Sequence, residues 1–316
     1  MPMSGEIVGR ILIVLLKRMM LIVILIFSKE FAVARDDLFK VTLLGTGTPV
    51  PSAERFGYST LVEAGEQRLV FDFGRGVAIR LAQLKVPLGS INAHFLTHFH
   101  SDHTNGLPDL WLTGWLRPPY GQRNQPFLIY GPKGLKELTS GLIAAYARDI
   151  AMRVEDEKSP LSGVTFDAHE IEAGVVYEKE GLRVSAFDND HGDKVKPSLG
   201  YKIQYKGKTI VLSGDTKYSE EVIKQSTNAD LLVHCVTVIP PDLLRQFPQY
   251  QAVYDHLSSP EQAAKVFNAA SPKQVVFSHI GLNGNSTIED LLARTRAIYS
   301  GPLKVGEDLM VFDLSP

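Results

Sequence analysis

Ten consecutive residues, THFHSDHTNG (97–106), constrain this chain more than any other stretch. They place His98, His100, Asp102 and His103 within six positions, directly after a β-rich run. On an extended strand end alternate side chains share a face, so His98 and His100 point to the same side. The loop that follows can turn Asp102 and His103 toward a neighbouring point. A single histidine on a strand is ordinarily a satisfied structural residue. Four such polar groups close together are not, because burying them without compensation is expensive. Imidazole nitrogen and carboxylate oxygen suit zinc and related divalent ions. The chain has one cysteine, Cys235, which excludes an intrachain disulfide and a Cys-based zinc site. His, Asp and Glu must carry the chemistry.

Three further candidates each end a β-like run: His191 after VSAFDND, Asp215 in VLSGDT and His279 closing VVFSH. Ligands at strand ends along one sheet edge can converge from distant parts of a chain. The set then comprises five His and two Asp, enough for two divalent ions with one bridging carboxylate. Two ions roughly 3.5–4 Å apart can share and acidify a water. The other runs alternate β-rich segments with helical patterns at 76–84, 107–116, 134–146, 260–270 and 287–299. In the fourth of these, Ser258 or Ser259 precedes Pro260 as a cap. No repeat or linker interrupts the alternation, so residues 35–316 read as one α/β domain with two sheets.

The first 34 residues differ from the rest. Arg10, Lys17 and Arg18 precede MMLIVILIF (19–27), and small residues Ala32 and Ala34 follow. The pattern matches a cleavable signal peptide, which implies export to a periplasm or the exterior. Nine apolar residues rise only about 14 Å as a helix, well short of roughly 30 Å of hydrocarbon. An uncleaved N-terminal anchor is the alternative. With 33 basic and 35 acidic residues, the chain has no bulk attraction to nucleic acid.

The ordered motifs FDFGRG with Asp72, HFHSDH, His191, GDT with Asp215, and SH with His279 resemble the metallo-β-lactamase superfamily. That resemblance implies an αββα sandwich: two mixed β-sheets flanked by helices, with metals at one edge between the sheets. It implies that His98, His100 and His191 hold one metal, that Asp102, His103 and His279 hold the other, and that Asp215 bridges them. Asp72 would brace the His loop from behind, unless it is merely a turn residue before glycine. LLGTGTPVPS, NGLPDLW, YGPKG, HGDKVKPSLGYKI and HLSSPEQAA resemble the ribonuclease Z branch. In that branch a histidine helps manage the scissile phosphate, and His256 falls in the comparable place, although the motif here reads His-Leu-Ser-Ser. Imidazole is well suited to general acid work near neutral pH; a helix-flanking surface role is the alternative.

Two details depart from tRNA processing. The branch commonly carries an acidic residue after the His of LLVH, where this chain has Cys235, read as a buried small apolar residue. The stretch from Lys133 to Lys196, comparable to an RNA-gripping arm, holds 9 basic and 13 acidic residues. Phosphate binding leans on Lys and Arg, so this is a poor RNA clamp. Trp111 and Trp115 could wall a substrate or fill a core; Phe56 and Tyr58 could line the site mouth or decorate the surface. GTGTP (45–49) could cradle an anion or make a tight turn.

The leading expectation is an exported dinuclear hydrolase with a ribonuclease-Z-like core. It would cleave phosphodiesters by a metal-bound hydroxide, with Asp102 as proton acceptor and His256 supporting the leaving group. The ions are expected to be zinc, with manganese or iron as alternatives. β-Lactam or lactone hydrolysis is the second reading, and metal binding without catalysis the third. The expected partner is a small-molecule or phosphodiester substrate, with a homodimer as a further option and nucleic acid disfavoured by charge.

Overall fold

The computed structural model describes residues 36–118 and 121–316, so the expected export signal or anchor at 1–34 lies outside the described residues. Among the described residues fourteen strands build two sheets of seven. The first sheet contains β1 (Phe39–Gly45), β2 (Ser59–Ala64), β3 (Gln67–Phe71), β4 (Ala93–Phe95), β5 (Phe127–Gly131), β6 (Phe166–Glu170) and the C-terminal β14 (Val311–Asp313), in the order β14-β1-β2-β3-β4-β5-β6. The second contains β7 (Gly174–Lys179), β8 (Leu182–Asp188), β9 (Leu199–Tyr205), β10 (Lys208–Leu212), β11 (Leu231–Val238), β12 (Val275–Leu282) and β13 (Leu303–Val305). Its order, β13-β12-β11-β10-β9-β8-β7, follows the same plan. In each sheet three antiparallel pairings give way to three parallel ones, so both sheets are mixed.

The central strands are apolar on both faces, as in β11, LLVHCVTV, where every residue is buried. Such a run needs cover on both sides. Phe71, Phe95, Tyr201, Ile203 and Leu212 fill the space between the sheets. Outside the first sheet pack α1 (Val77–Gln83), α3 (Leu107–Trp115), α4 (Leu135–Ala145) and α5 (Ala147–Glu155) through Leu81, Trp111, Leu135 and Ile150. Outside the second pack α6 (Glu220–Ser226), α9 (Pro260–Ala270) and α10 (Ile288–Arg296) through Val222, Phe267 and Leu291. The layers run helix, sheet, sheet, helix, as the motif pattern implied.

Helix α9 begins where its cap predicts. Ser259 accepts from the Gln262 backbone amide and the Gln262 side chain reaches back, with Pro260 at the first turn. Four helices escape the sequence patterns: α5, α6, α7 (Pro241–Gln246) and α8 (Tyr250–His256). α7 and α8 bury no residue, so no apolar periodicity marks them. Among the described residues no helix is long and apolar enough to cross a membrane.

His94, unassigned by the sequence, lies inside the first sheet stacked on Phe127 with ring centroids 3.6 Å apart. Its Nδ1 donates to the Leu128 carbonyl, and burial pushes its pKa down to about 3. His234 is likewise pushed to about 4 by burial. Both imidazoles are neutral in the fold and take up a proton near pH 6.5 once unfolded. The unfolded chain therefore binds more protons below pH 6.5, and stability falls as pH drops from 6.5 toward 4. Each group contributes up to about 1.4 kcal/mol per pH unit across that window. Urea unfolding between pH 4.5 and 7 checks this, and His94→Asn is expected to remove about half of the two-histidine slope.

Candidate metal centre

β4 stops at Phe95, so His98 and His100 do not sit on a strand end as the alternation argument supposed. Residues 96–100 leave the sheet as a loop, and Ser101–Thr104 close into a single helical turn, α2, that carries Asp102 and His103. Two hydrogen bonds tie this loop to the second sheet: Leu199 N–H donates to the Thr97 carbonyl, and Tyr201 Oη donates to the Leu96 carbonyl. The two imidazoles still meet, with His98 Nε2 3.0 Å from His100 Nδ1.

Asp72 organises the loop from beneath. It is fully buried with a φ of 58°, a conformation aspartate tolerates better than most residues. Its Oδ1 accepts from Thr97 N–H, and its Oδ2 accepts from Thr97 Oγ1 and lies 2.9 Å from His103 Nδ1. Thr97 had no sequence signal; only the fold shows that it links Asp72 to the histidines. Carboxylates that orient a histidine in this way typically change metal affinity 10–100-fold when removed. Asp72→Asn is therefore expected to weaken divalent-metal binding by about that factor in a chelator competition.

His191 follows β8, and Asp215 follows β10 after Gly214. That glycine has a φ of 62°, and a Cβ on it would lie 2.5 Å from the Leu199 carbonyl oxygen. His279 does not end its strand. β12 runs on to Leu282, and the ladder pairs Cys235 with Ser278 and then Val236 with Ile280, leaving His279 as an extra, bulged residue with a φ of 46°. A bulge re-aims one side chain without ending the strand. It brings His279 Nε2 to 3.1 Å from Asp102 Oδ2 and 3.1 Å from Asp215 Oδ2.

Asp215 Oδ2 also lies 3.4 Å from His103 Nε2 and 3.8 Å from His191 Nε2. The donor atoms fall into overlapping groups within 4.8 Å of one another: His98, His100 and His191; His98, His103 and Asp215; Asp102, His103 and His279. Every sequence-predicted ligand position is thus in one cluster, and His100 is its exposed member. Burial lowers the pKa of His98, His100 and His191, which keeps them neutral, the form a metal requires. Burial opposes the charge of Asp215, but His279 and His103 outweigh it and hold the carboxyl well below its ordinary range. Burial likewise opposes the charge of Asp102, and the His279 hydrogen bond reverses it. Two buried atoms at the centre, His103 Nε2 and Asp215 Oδ1, make no hydrogen bond within the protein. Unsatisfied buried ligand atoms beside neutral imidazoles are what a cation site needs, so the donor set fits divalent ions.

His256 ends α8. Its backbone carbonyl receives the Nδ1–H of His191 at 2.8 Å, the outer hydrogen bond that fixes a ligand's tautomer. Its ring lies over Gly192, where a Cβ would come 2.4 Å from His256 Cδ2. His256 lines a cavity of about 380 Å³ together with His100, Asp102, His191, Asp215 and His279.

The family model described as Anti-Pycsar protein Apyc1 matches residues 39–245. A ribonuclease Z of Mycobacterium bovis (strain BCG / Pasteur 1173P2) is 34% identical over 282 residues, covering 88% of this chain and 99% of the relative. The chain belongs to the Apyc1 and ribonuclease Z families. Among solved structures, the metallo-β-lactamase fold protein YhfI from Bacillus subtilis superposes with a TM-score of 0.68 at 17% identity, covering 87% of this chain and 99% of that one. Human tRNase Z, short form, gives 0.63 at 25% identity, with coverages of 88% and 99%. The protein is a metal-dependent hydrolase of the metallo-β-lactamase fold.

Cys235, the Lys133–Lys196 stretch, the flagged aromatic residues and GTGTP all take structural places. Cys235 Sγ bonds to the backbone N–H and carbonyl of Thr216, and burial pushes its thiol up to about 12, so it remains a neutral anchor behind Asp215. Lys133–Lys196 folds into α4, α5 and β6–β8 of the sandwich itself. Trp111 and Trp115 are core residues whose indole N–H groups donate to Val164 and Pro160 carbonyls, so neither walls a substrate. Tyr58 is buried against the His103 and His279 rings, and Phe56 lies under the Arg80 guanidinium. In GTGTP the Thr46 and Gly47 amides donate to Asp308 Oδ1 and the Phe56 carbonyl, so the segment is a pinned turn.

Proposed function

We propose that this hydrolase cleaves small phosphodiesters at a pair of divalent cations, zinc being the best match to a nitrogen and oxygen donor set without sulfur. His98, His100 and His191 would hold one cation, Asp102, His103 and His279 the other, with Asp215 between them. The observation that carries this reading is Asp215 Oδ2, within 4 Å of His103, His191 and His279, each from a different part of the chain. Bound there, the cations supply positive charge to the phosphoryl oxygens and acidify water.

The protein's own groups do the rest. Asp102 stays ionised and sits on the cavity wall, where it can accept a proton. His256 shares that wall and would protonate the departing oxygen. The exposure of His100 and the open cavity favour catalysis over a closed structural site. The basic and apolar composition of residues 1–34 supports export.

Elemental analysis of purified protein, paired with turnover of bis-p-nitrophenyl phosphate, a chromogenic β-lactam and a homoserine lactone, tests the proposal. The expected result is about two metal equivalents and turnover of the phosphodiester. Turnover of the lactam or lactone alone would replace this reading with the second one.

A further inference from the structure

A ligating imidazole is ordinarily fixed by an outer hydrogen bond from the ring nitrogen that faces away from the metal. In the cluster, His98, His103, His191 and His279 are buried, and the first three have such a bond. His98 Nδ1 lies 2.9 Å from Thr97 Oγ1, His103 Nδ1 lies 2.9 Å from Asp72 Oδ2, and His191 Nδ1 donates to the His256 carbonyl at 2.8 Å. His279 differs. Its Nε2 is aimed at Asp102 and Asp215, while its Nδ1 is buried and makes no hydrogen bond within the protein. The bulge in β12 sets where this side chain starts, but a backbone bulge does not fix the rotation of a ring.

Tyr58 packs against that ring. It is 3% exposed, and its ring centroid lies 5.8 Å from that of His279 in an edge-on arrangement and 5.3 Å from that of His103. The His103 and His279 rings stack on each other at 5.3 Å. The backbone around Tyr58 is tied to the segment that carries Asp72. Gly57 N–H donates to the Arg75 carbonyl, Gly74 N–H to the Tyr58 carbonyl, and Ser59 Oγ to the Asp72 carbonyl. The two segments approach so closely that a Cβ on Gly74 would lie 2.1 Å from the Gly57 carbonyl carbon. With its backbone held in this way, the phenol ring is a fixed wall.

We propose that Tyr58 is a positioning residue for His279, holding by ring packing an imidazole that the protein does not hold by a hydrogen bond. The inference rests on the two-cation reading and adds to it a residue that need touch neither cation. Edge-on and tilted aromatic pairs contribute beyond the area they bury, so the contact favours one ring orientation. Among the described residues Tyr58 makes ring contacts with His103 and His279 but with no imidazole of the His98, His100 and His191 group. Its loss should therefore be felt at one cation and not at the other.

The test is zinc competition against a chromogenic chelator, with the full chain stripped of metal and reloaded, following both equivalents. Tyr58→Leu keeps apolar bulk and removes the ring. It is expected to weaken one equivalent about tenfold and leave the other within about twofold, the low end of what losing an orienting group costs. Tyr58→Phe keeps the ring and should bind both equivalents within about twofold of the wild type. Tyr58→Met, with its more adaptable side chain, takes the place of Tyr58→Leu if that variant does not fold. In a His279→Ala background the same substitution should weaken binding no further, because the residue it acts through is gone. Unchanged zinc affinity, equal losses at both equivalents, or the full tenfold loss repeated in His279→Ala would overturn the positioning role and leave the two-cation reading intact. Tyr58→Phe as weak as Tyr58→Leu would also overturn it, since the ring alone would not suffice. A wild-type protein that binds fewer than two equivalents would overturn the two-cation reading and this inference with it.

Discussion

Asp215→Ala is expected to lower phosphodiester turnover by at least about 10³-fold, a loss of some 4 kcal/mol of transition-state stabilisation. It should also deplete the purified protein of most of its metal. Three imidazoles, from His103, His191 and His279, approach the single oxygen Oδ2 within 4 Å, and the second oxygen is buried and makes no hydrogen bond within the protein. Among the described residues no other carboxylate touches both donor groups: Asp102 reaches His279 and His103 but belongs only to their group. Asp215→Asn separates charge from volume, since it keeps the shape and one acceptor oxygen. It should lose metal nearly as fully, because ligation needs the anion. Elemental analysis and turnover of bis-p-nitrophenyl phosphate check both variants. Full metal content with unimpaired turnover in Asp215→Ala would remove the bridging assignment.

His256→Ala should divide substrates by leaving group. Alkyl esters depart as strongly basic alkoxides that need a proton, so their hydrolysis is expected to fall about 10²–10³-fold, within the range of general acid catalysis. p-Nitrophenolate leaves without help and should change by less than about threefold. The variant is a clean probe because the contact to His191 comes from the backbone carbonyl of residue 256, which the substitution retains. Metal content is therefore expected to remain at the wild-type level. A uniform drop on both ester classes would show that the ring positions something other than the leaving oxygen.

Much of the site is legible in the sequence because ligand chemistry is local. The residue types in THFHSDH admit few alternatives, and Asp215 and His279 each follow an apolar run long enough to be a strand. The geometry behind those readings is less accessible. Strand alternation predicts that His98 and His100 share a face, yet they share a loop beyond β4, and their meeting depends on Asp72 and on bonds from β9. Trp111 and Trp115, four apart beside the site in sequence, pack into the helical layer because a helix presents one face inward, and theirs is that face. α7 and α8 left no pattern, since a helix without a buried stripe has no periodic signature, although α8 carries Tyr250, Val253 and His256 of the cavity wall.

What the amino-acid order determined by itself is the inventory: strands that must be buried on both faces, one set of imidazole and carboxylate donors, and no sulfur able to replace them. Periodicity reports how each element buries its own side chains, so the alternation of strands and helices follows from it. Distances between loops were decided by the tertiary structure alone. The packing of one sheet on the other sets where the ends of β4, β8 and β10 meet, and a one-residue bulge in β12 turns His279 into the same space. Neither is encoded within any single window of the chain, because each depends on register between segments far apart in sequence.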